Sequence, residues 1–140
     1  MIENKVPFNQ HVWLIEPLFE SDTFIAKRMF GCLACYLHGR LKLVLADSDE
    51  PWNGVLIATA REHHQSLMRQ LPELIEHEVL GKWLYISCAD ERFETGVRKI
   101  VSLCLSDDIR IGVLPSEKKR KRRKKREEPS RKKGKTKKRS

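Results

Sequence analysis

The segment Met29–Leu43, MFGCLACYLHGRLKL, decides the fold because it places short apolar runs on either side of a glycine-containing turn. Gly39, in the pair His38-Gly39, stands at the second turn position, where glycine supplies the positive φ that tight hairpins need. Gly31 interrupts the apolar sequence eight residues earlier. The pattern therefore predicts three consecutive strands, over residues 24–29, 32–37 and 41–46.

Helical spacing of apolar residues occurs in three stretches around these strands. Asn9–Phe19 predicts a first helix, with Asn9 as its N-cap and an interruption or bend at Pro17. A second helix is predicted to end near Pro72, and the clearest helical pattern covers Phe93–Leu105. The stripe of the second helix consists of His64, Leu67, Met68 and Leu71.

Further strands are predicted from VLIAT (55–59), KWLYISC (82–88) and, as an edge, IRIGV (109–113), whereas residues 73–80 fit a second helical turn or a loop. This order predicts one α+β domain over residues 1–114, with helices covering one face of a mainly antiparallel sheet. Residues 115–140 lack large apolar side chains, so we expect a Lys/Arg-rich tail that is disordered when free.

The charge of the chain is segregated. The 140 residues carry a net charge of +9, but Glu117–Ser140 alone holds 16 Lys/Arg and 3 Glu, or +13, which leaves −4 for the other 116 residues. So dense a run of one sign attracts polyanions, of which nucleic acid is the abundant one. An acidic membrane surface, a nuclear-import address and plain solubility are the other interpretations of the tail.

The nucleic-acid contacts predicted in the tail are sequence-neutral, because the tail has no aromatic side chain to stack on bases and no Asn or Gln to read base edges. DNA and RNA are both open as partners. The predicted contact residues are Lys118, Lys119, Arg120, Lys121, Arg122, Arg123, Lys124, Lys125, Arg126, Arg131, Lys132 and Lys133.

The four cysteines are predicted to be core thiols in a reducing compartment, because all stand among apolar neighbours. Cys32 and Cys35 form a CxxC pair, yet residues three apart in a strand point to opposite faces. Cys88 and Cys104 are isolated, so the second ligand pair of a zinc site is missing from the sequence. We therefore expect neither a metal nor a redox centre.

His63, His64 and His77 lack the spacing of a metal-binding helix and are expected to be exposed helix histidines. DSDE (47–50) lacks the glycine and the terminal glutamate of a calcium loop and is expected to be a solvated turn. The sequence contains no GxSxG motif and no phosphate-binding glycine loop. We therefore predict no catalytic, cofactor-binding or metal-binding residue.

The stretch AKRMFGCLACYLHGRLKLVLADS (26–48) resembles the N-terminal domain of the TfoX/Sxy family, and GKWLYIS (81–87) is similar to the related MmcQ/YjbR-like fold. The matching positions are Arg28 or Lys27, Met29, Phe30, Gly31 and Gly39, while Cys32 replaces the family's second glycine. The resemblance covers roughly residues 9–113. It implies an α+β domain, a link to regulation of competence genes and no catalytic residues. Because the basic tail stands in place of the family's C-terminal domain, the competence role is not carried over.

Together these observations predict a soluble, cytoplasmic, non-enzymatic protein that is associated with nucleic acid and regulatory. The location would be the nucleoid, or the nucleus in a eukaryotic cell. No leader-peptide pattern and no membrane-spanning apolar run is visible in the sequence. The alternative is a protein-interaction adaptor or homodimer whose tail only localises it. An enzyme whose pocket is not legible in the sequence is a third hypothesis.

Overall fold

The computed structural model describes residues 6–114, which form a six-stranded antiparallel sheet flanked by helices. The predicted α+β class is confirmed, and the predicted tail, residues 115–140, lies outside the described residues. The strands are β1 (Ile25–Met29), β2 (Cys32–Leu37), β3 (Arg40–Asp47), β4 (Asn53–Ile57), β5 (Ile75–Glu76) and β6 (Leu84–Ser87). In space they follow the order β1-β2-β3-β4-β6-β5.

The two hairpins that join β1, β2 and β3 are the part of the fold that the sequence predicts best. Each turn has two successive residues with positive φ, Phe30-Gly31 at 51° and 78° and His38-Gly39 at 56° and 77°. Two such residues define the turn whose twist matches paired antiparallel strands. The predicted strand boundaries agree with the structure to within one residue.

The helices lie on one face of the sheet, as predicted. They are a 3-10 helix (Val12–Glu20), a 3-10 turn (Arg61–His63) that continues into α1 (His64–Gln70), and α2 (Phe93–Leu105). The main core lies between these helices and the sheet, and includes Ile15, Leu18, Leu33, Leu43, Ile57, Leu67, Ile86, Val97 and Ile100, all fully buried. Burial of such side chains is the principal stabilising contribution of the fold.

The opposite face of the sheet carries a second, smaller apolar cluster around Val44, Leu56 and Tyr85. Partly buried Trp52 and Trp83 pack against it. Large side chains therefore cover both faces of the central strands. The near-continuous apolar sequence of β3 reflects this double burial, which is typical of a strand in the middle of a sheet.

The first helix departs from the prediction in type and in its cap. It is a 3-10 helix, in which Val12, Ile15 and Leu18 recur every three residues and so lie along one side. Asn9 is not its N-cap, a position that His11 occupies without a side-chain bond. Instead, Asn9 Nδ2 donates to the Leu45 carbonyl at 3.1 Å, and its Oδ1 accepts the His11 N–H at 2.9 Å. Asn9 thus fixes the N-terminal segment to β3.

Two other segments also differ from their predictions. Residues 73–80, expected as a helical turn or a loop, contain the short edge strand β5, which pairs with β6. Residues 109–113, expected as an edge strand, form only one isolated bridge, between Leu41 and Val113. Both outcomes depend on distant pairing partners and not on local apolar spacing.

Candidate functional site

The residues predicted to contact nucleic acid, Lys118–Arg126 and Arg131–Lys133, lie outside the described residues, so the structure does not place them. The structure does describe the domain that precedes the tail. Residues 6–114 hold 11 Lys/Arg and 15 Asp/Glu, a net charge of −4. An acidic domain thus precedes a strongly cationic segment.

Charge within this domain is itself uneven. The stretch 23–46, which contains β1, β2 and nearly all of β3, has four Lys/Arg and no Asp or Glu. The rest of residues 6–114 therefore holds seven cationic and 15 acidic side chains, or −8. Of the four cations, Lys27, Arg28 and Arg40 are exposed, whereas Lys42 is buried. Residues 23–46 are therefore the stretch of this acidic domain with a net positive charge, although Asp107 pairs with Lys42 there.

The last described residues lie against the start of β3. Leu41 N–H donates to the Val113 carbonyl at 2.9 Å, and Val113 N–H donates back to Leu41 at 3.0 Å. These bonds fix the end of the described chain to the start of β3, next to Arg40. The attachment point of residues 115–140 is therefore set by the sheet.

Lys42, which sequence reasoning did not single out, is a fully buried cation at 1% exposure. Its Nζ donates to Asp107 Oδ1 at 3.1 Å and to the Ile111 carbonyl at 3.0 Å. The hydrogen bond from Lys42 lowers the pKa of Asp107. Both partners follow the C-terminus of α2, where the helix dipole also favours a positive charge. Lys42 thus ties β3 to the segment after α2 and is used by the fold.

A hydrogen-bonded network at the β3–β4 loop brings together a carboxylate, two hydroxyl groups and a backbone amide, which are groups that also occur in active sites. Glu50 accepts a hydrogen bond from the Tyr85 hydroxyl at 2.8 Å and another from Ser87 Oγ. Asn53 N–H donates to Tyr85 Oη at 2.8 Å. Burial and the Glu50 contact raise the pKa of Tyr85. The prediction of a solvated turn over DSDE (47–50) holds only in part: Asp47 ends β3, residues 48–50 begin the β3–β4 loop, and Glu50 is bonded to β6.

The prediction that His64 and His77 are exposed helix residues is wrong. His77 is buried: its Nε2 donates to the Pro51 carbonyl at 2.6 Å, and its Nδ1 accepts the N–H groups of Val79 and Leu80. Its ring also packs against Trp52 and Tyr85. These bonds define the neutral ring with its proton on Nε2. His77 therefore organises the loop between β5 and β6.

His64 is also buried, although it begins α1. Its Nδ1 lies 2.7 Å from Glu76 Oε2, and its Nε2 lies 2.9 Å from the Lys82 carbonyl oxygen. The side chain joins α1 to β5 and to the segment before β6. His63 is partly exposed, and its ring contacts Glu62. The apolar stripe of α1 does contain His64, because the helix turns that side towards the core.

The prediction of core thiols is confirmed for Cys35 and Cys104, which are buried, and is wrong for Cys32 and Cys88, which are only partly buried. Cys32 and Cys35 lie on opposite faces of β2, Cys32 against the smaller cluster and Cys35 in the main core. Burial raises the pKa of Cys35 to about 12, with a further contribution from Cys104, and burial raises that of Cys104 to about 12. Burial also raises the pKa of Cys32 and Cys88. All four are free thiols, and a protonated thiol is a poor nucleophile and metal ligand. Cys35 and Cys104 are named the core thiols below.

The residues that the structure describes contain no group of three or more His, Cys, Asp or Glu side chains placed to hold a metal ion. Within residues 6–114, no helix is both long and apolar enough to cross a membrane. No family model, curated protein or solved structure matches the chain.

Proposed function

We propose that this protein is a non-enzymatic, regulatory nucleic-acid-associated protein whose basic tail provides the affinity for DNA or RNA. Lys118–Arg126 would supply most of the binding, and Arg131–Lys133 would extend the contact. The observation that carries this proposal is the segregation of charge, +13 in residues 117–140 against −4 in residues 1–116. A surplus that large and that local is suited to a polyanion.

The physical consequence is a steep dependence on salt. When cations neutralise duplex phosphates, condensed counterions are released and log K falls linearly with log salt concentration. With about eight tail cations engaged, the slope is roughly −7. Because these contacts go to the phosphate backbone, they carry little information about sequence.

Two features of the described domain support a binding function. The described chain ends at the start of β3, where Val113 pairs with Leu41 next to Arg40, so residues 115–140 follow from a fixed point of the sheet. The side chains that could take part in catalysis also have structural roles. Burial keeps the core thiols protonated, and the His77 ring is hydrogen-bonded to three backbone groups. We therefore infer that the domain offers a surface for contact with a partner molecule and does not catalyse a reaction. The TfoX/Sxy resemblance and a cytoplasmic, nucleoid or nuclear location remain part of this proposal.

The test compares full-length protein with a full-length variant in which all nine cations of Lys118–Arg126 are Gln. A matched control replaces Arg69 and Lys99, exposed cations of the acidic part of the domain, with Gln. Binding to a labelled 20-bp duplex is measured by fluorescence anisotropy over a salt series. We expect the nine-Gln variant to lose most of its affinity and most of its salt slope, and the control to keep both. Unchanged affinity and slope in the nine-Gln variant would refute the proposal.

A further inference from the structure

Phe30 is an exposed aromatic residue at a costly backbone position. Its side chain is 97% exposed at the tip of the β1–β2 hairpin, and its φ is +51°. Bulky residues rarely adopt positive φ, where Asn, Asp or Gly is usual. The ring buries almost nothing in the domain, so packing does not account for its presence. An aromatic group held out at a strained turn points to a role in contact with another molecule.

A second exposed aromatic residue lies at the same end of the sheet. Phe8 is 75% exposed, and its carbonyl accepts a hydrogen bond from Arg28 Nη2 at 3.3 Å. Arg28 lies on β1 two residues before Phe30, so its side chain links the Phe8 backbone to the strand that leads into the hairpin tip. We call Phe8, Arg28 and Phe30 the hairpin-tip cluster.

A second exposed cation, Lys27, accompanies Arg28 on β1. Lys27 is exposed on the other face of β1, with its Nζ 5.5 Å from the centroid of the Tyr36 ring. Residues 23–46 supply no carboxylate. Asp47 ends β3 at the same end of the sheet, and its Oδ2 accepts the Gln10 N–H at 2.9 Å. Asp49 and Glu50 follow in the β3–β4 loop, where Glu50 is bonded to Tyr85 and Ser87. In proteins that bind unpaired strands, exposed aromatic rings stack on the bases and adjacent cations contact the phosphates.

We propose that the hairpin-tip cluster binds single-stranded nucleic acid, with a base stacked on Phe30 and the phosphate backbone on Arg28 and Lys27. This inference deepens the proposed function and rests on it. A phenyl ring reaches the face of an unpaired base but not that of a base stacked inside a duplex. The tail neutralises phosphates of either form, so the cluster would add the preference for a single strand. Stacking on a phenyl ring is tolerant of sequence, because every base has a π-face.

A second copy of this chain fits the surface less well. Among the described residues, β1 is an edge strand, and pairing two β1 edges around a two-fold axis would bring the Lys27-Arg28 pairs of both copies together. Like charges across paired strands are destabilising, and charged edges are a usual protection against such pairing. The cations that disfavour self-association are those that favour a phosphate backbone.

The experiment uses the full-length protein and the variant Phe30→Asn, since Asn tolerates positive φ and keeps the turn. Ile109→Asn is the control: Ile109 is 85% exposed and precedes Arg110, which is bonded to Thr59 beyond the opposite end of β4. Affinities are measured for 20-nucleotide oligo(dT), oligo(U) and a 20-bp duplex at one salt concentration. Circular dichroism melting verifies that all proteins are folded.

We expect Phe30→Asn to weaken binding of oligo(dT) or oligo(U) by about fivefold or more, the lower range for loss of one stacked base. Duplex affinity should change by less than about twofold, and Ile109→Asn should match the wild type on every probe. Comparison of oligo(dT) with oligo(U) identifies the preferred strand. Phe30→Trp should restore affinity and show quenching of the added fluorescence on binding.

Three results would overturn the inference. If wild type and Phe30→Asn bind both single strands equally while the tail-dependent duplex binding persists, the proposed function stands and the hairpin-tip cluster does not. If the wild type binds neither single strands nor duplex, both proposals fail. If Phe30→Asn changes the sedimentation coefficient without changing single-strand affinity, the surface is a protein contact instead.

Discussion

Gly54→Ala is expected to destabilise the domain severely, because the β6 backbone leaves no room for a side chain at Gly54. A Cβ at this position would lie 2.1 Å from the Ile86 carbonyl oxygen and 3.0 Å from Ser87 Cα. These neighbours include backbone atoms of a central strand, so no side-chain rotation relieves the overlap. Gly81 provides a matched control, since its added Cβ would come no closer than 3.7 Å to Arg61 Nη2.

The magnitude follows from the movement that the overlap requires. To bring the new Cβ to 3.0 Å from the Ile86 oxygen, the strands must separate by roughly 1 Å. Two or three ladder hydrogen bonds would then be lost or badly stretched, at about 1 kcal/mol each, in addition to about 1–3 kcal/mol for overpacking. We therefore expect a loss of about 4 kcal/mol in the free energy of unfolding. For a domain of this size, that lowers Tm by roughly 20 °C.

The assay is urea denaturation and thermal melting of the full chain, followed by circular dichroism. Gly81→Ala should remain within about 0.5 kcal/mol of the wild type, the usual range for a surface substitution. A Gly54→Ala protein that melts within a few degrees of the wild type would refute the argument, because it would mean that the β4–β6 spacing is not fixed by the glycine.

Three further predictions concern charges and thiols. The Arg110 side chain lowers the pKa of Asp108 from 3.8 to about 2. Because the pKa of Asp108 is lower in the folded protein than in the unfolded one, the ionised carboxylate stabilises the fold above about pH 4, and this stabilisation is lost as the pH falls through about 2. Asp108→Asn should therefore make the melting temperature depend less on pH between those values. Asp107→Asn should lower the urea midpoint more than Lys42→Met does, because only the first leaves a buried cation without its anion; a larger loss in Lys42→Met would contradict this. The core thiols should react with Ellman's reagent at pH 8 only after the protein unfolds, and rapid modification of native protein would show that they are accessible.

The strands that the sequence predicts well are those whose information is local. Gly31 and Gly39 each occupy a two-residue turn, and the residues between them have just the length of one strand. Phe93–Leu105 likewise agrees with the observed α2, because Val97, Ile100, Val101 and Cys104 recur at helical spacing and are buried in the main core. In both places turn chemistry or periodicity suffices, with no need to know what the element packs against.

The features that the sequence does not predict depend on partners far along the chain. His64 and His77 have the sequence context of surface residues, yet Lys82 and Pro51 supply backbone oxygens that allow their rings to be buried. β5 has only two residues and exists because β6 offers an edge. Polar residues become buried where distant groups satisfy their hydrogen bonds, and spacing does not record that.

The candidate nucleic-acid site divides in the same way. The cationic run of the tail is fully visible in the sequence and stays a prediction, since it lies outside the described residues. The hairpin-tip cluster requires the fold, because Phe8 joins Arg28 through a contact across 20 positions of sequence. The exposure of Phe30 is likewise seen only in the structure. The sequence shows no more than a phenylalanine next to a turn glycine.

The bridge between Leu41 and Val113 has a mechanical consequence. If residues 115–140 are bound to a long polymer, a pulling force on them would first act on the two backbone hydrogen bonds between Leu41 and Val113. Behind them, Gly112 N–H is bonded to the Ala58 carbonyl and the Ile111 carbonyl to Lys42 Nζ. Load would therefore pass into the two central strands, β3 and β4, and not into the hairpin-tip cluster. The proposed tail contacts and the proposed Phe30 contact would therefore act on separate parts of the sheet.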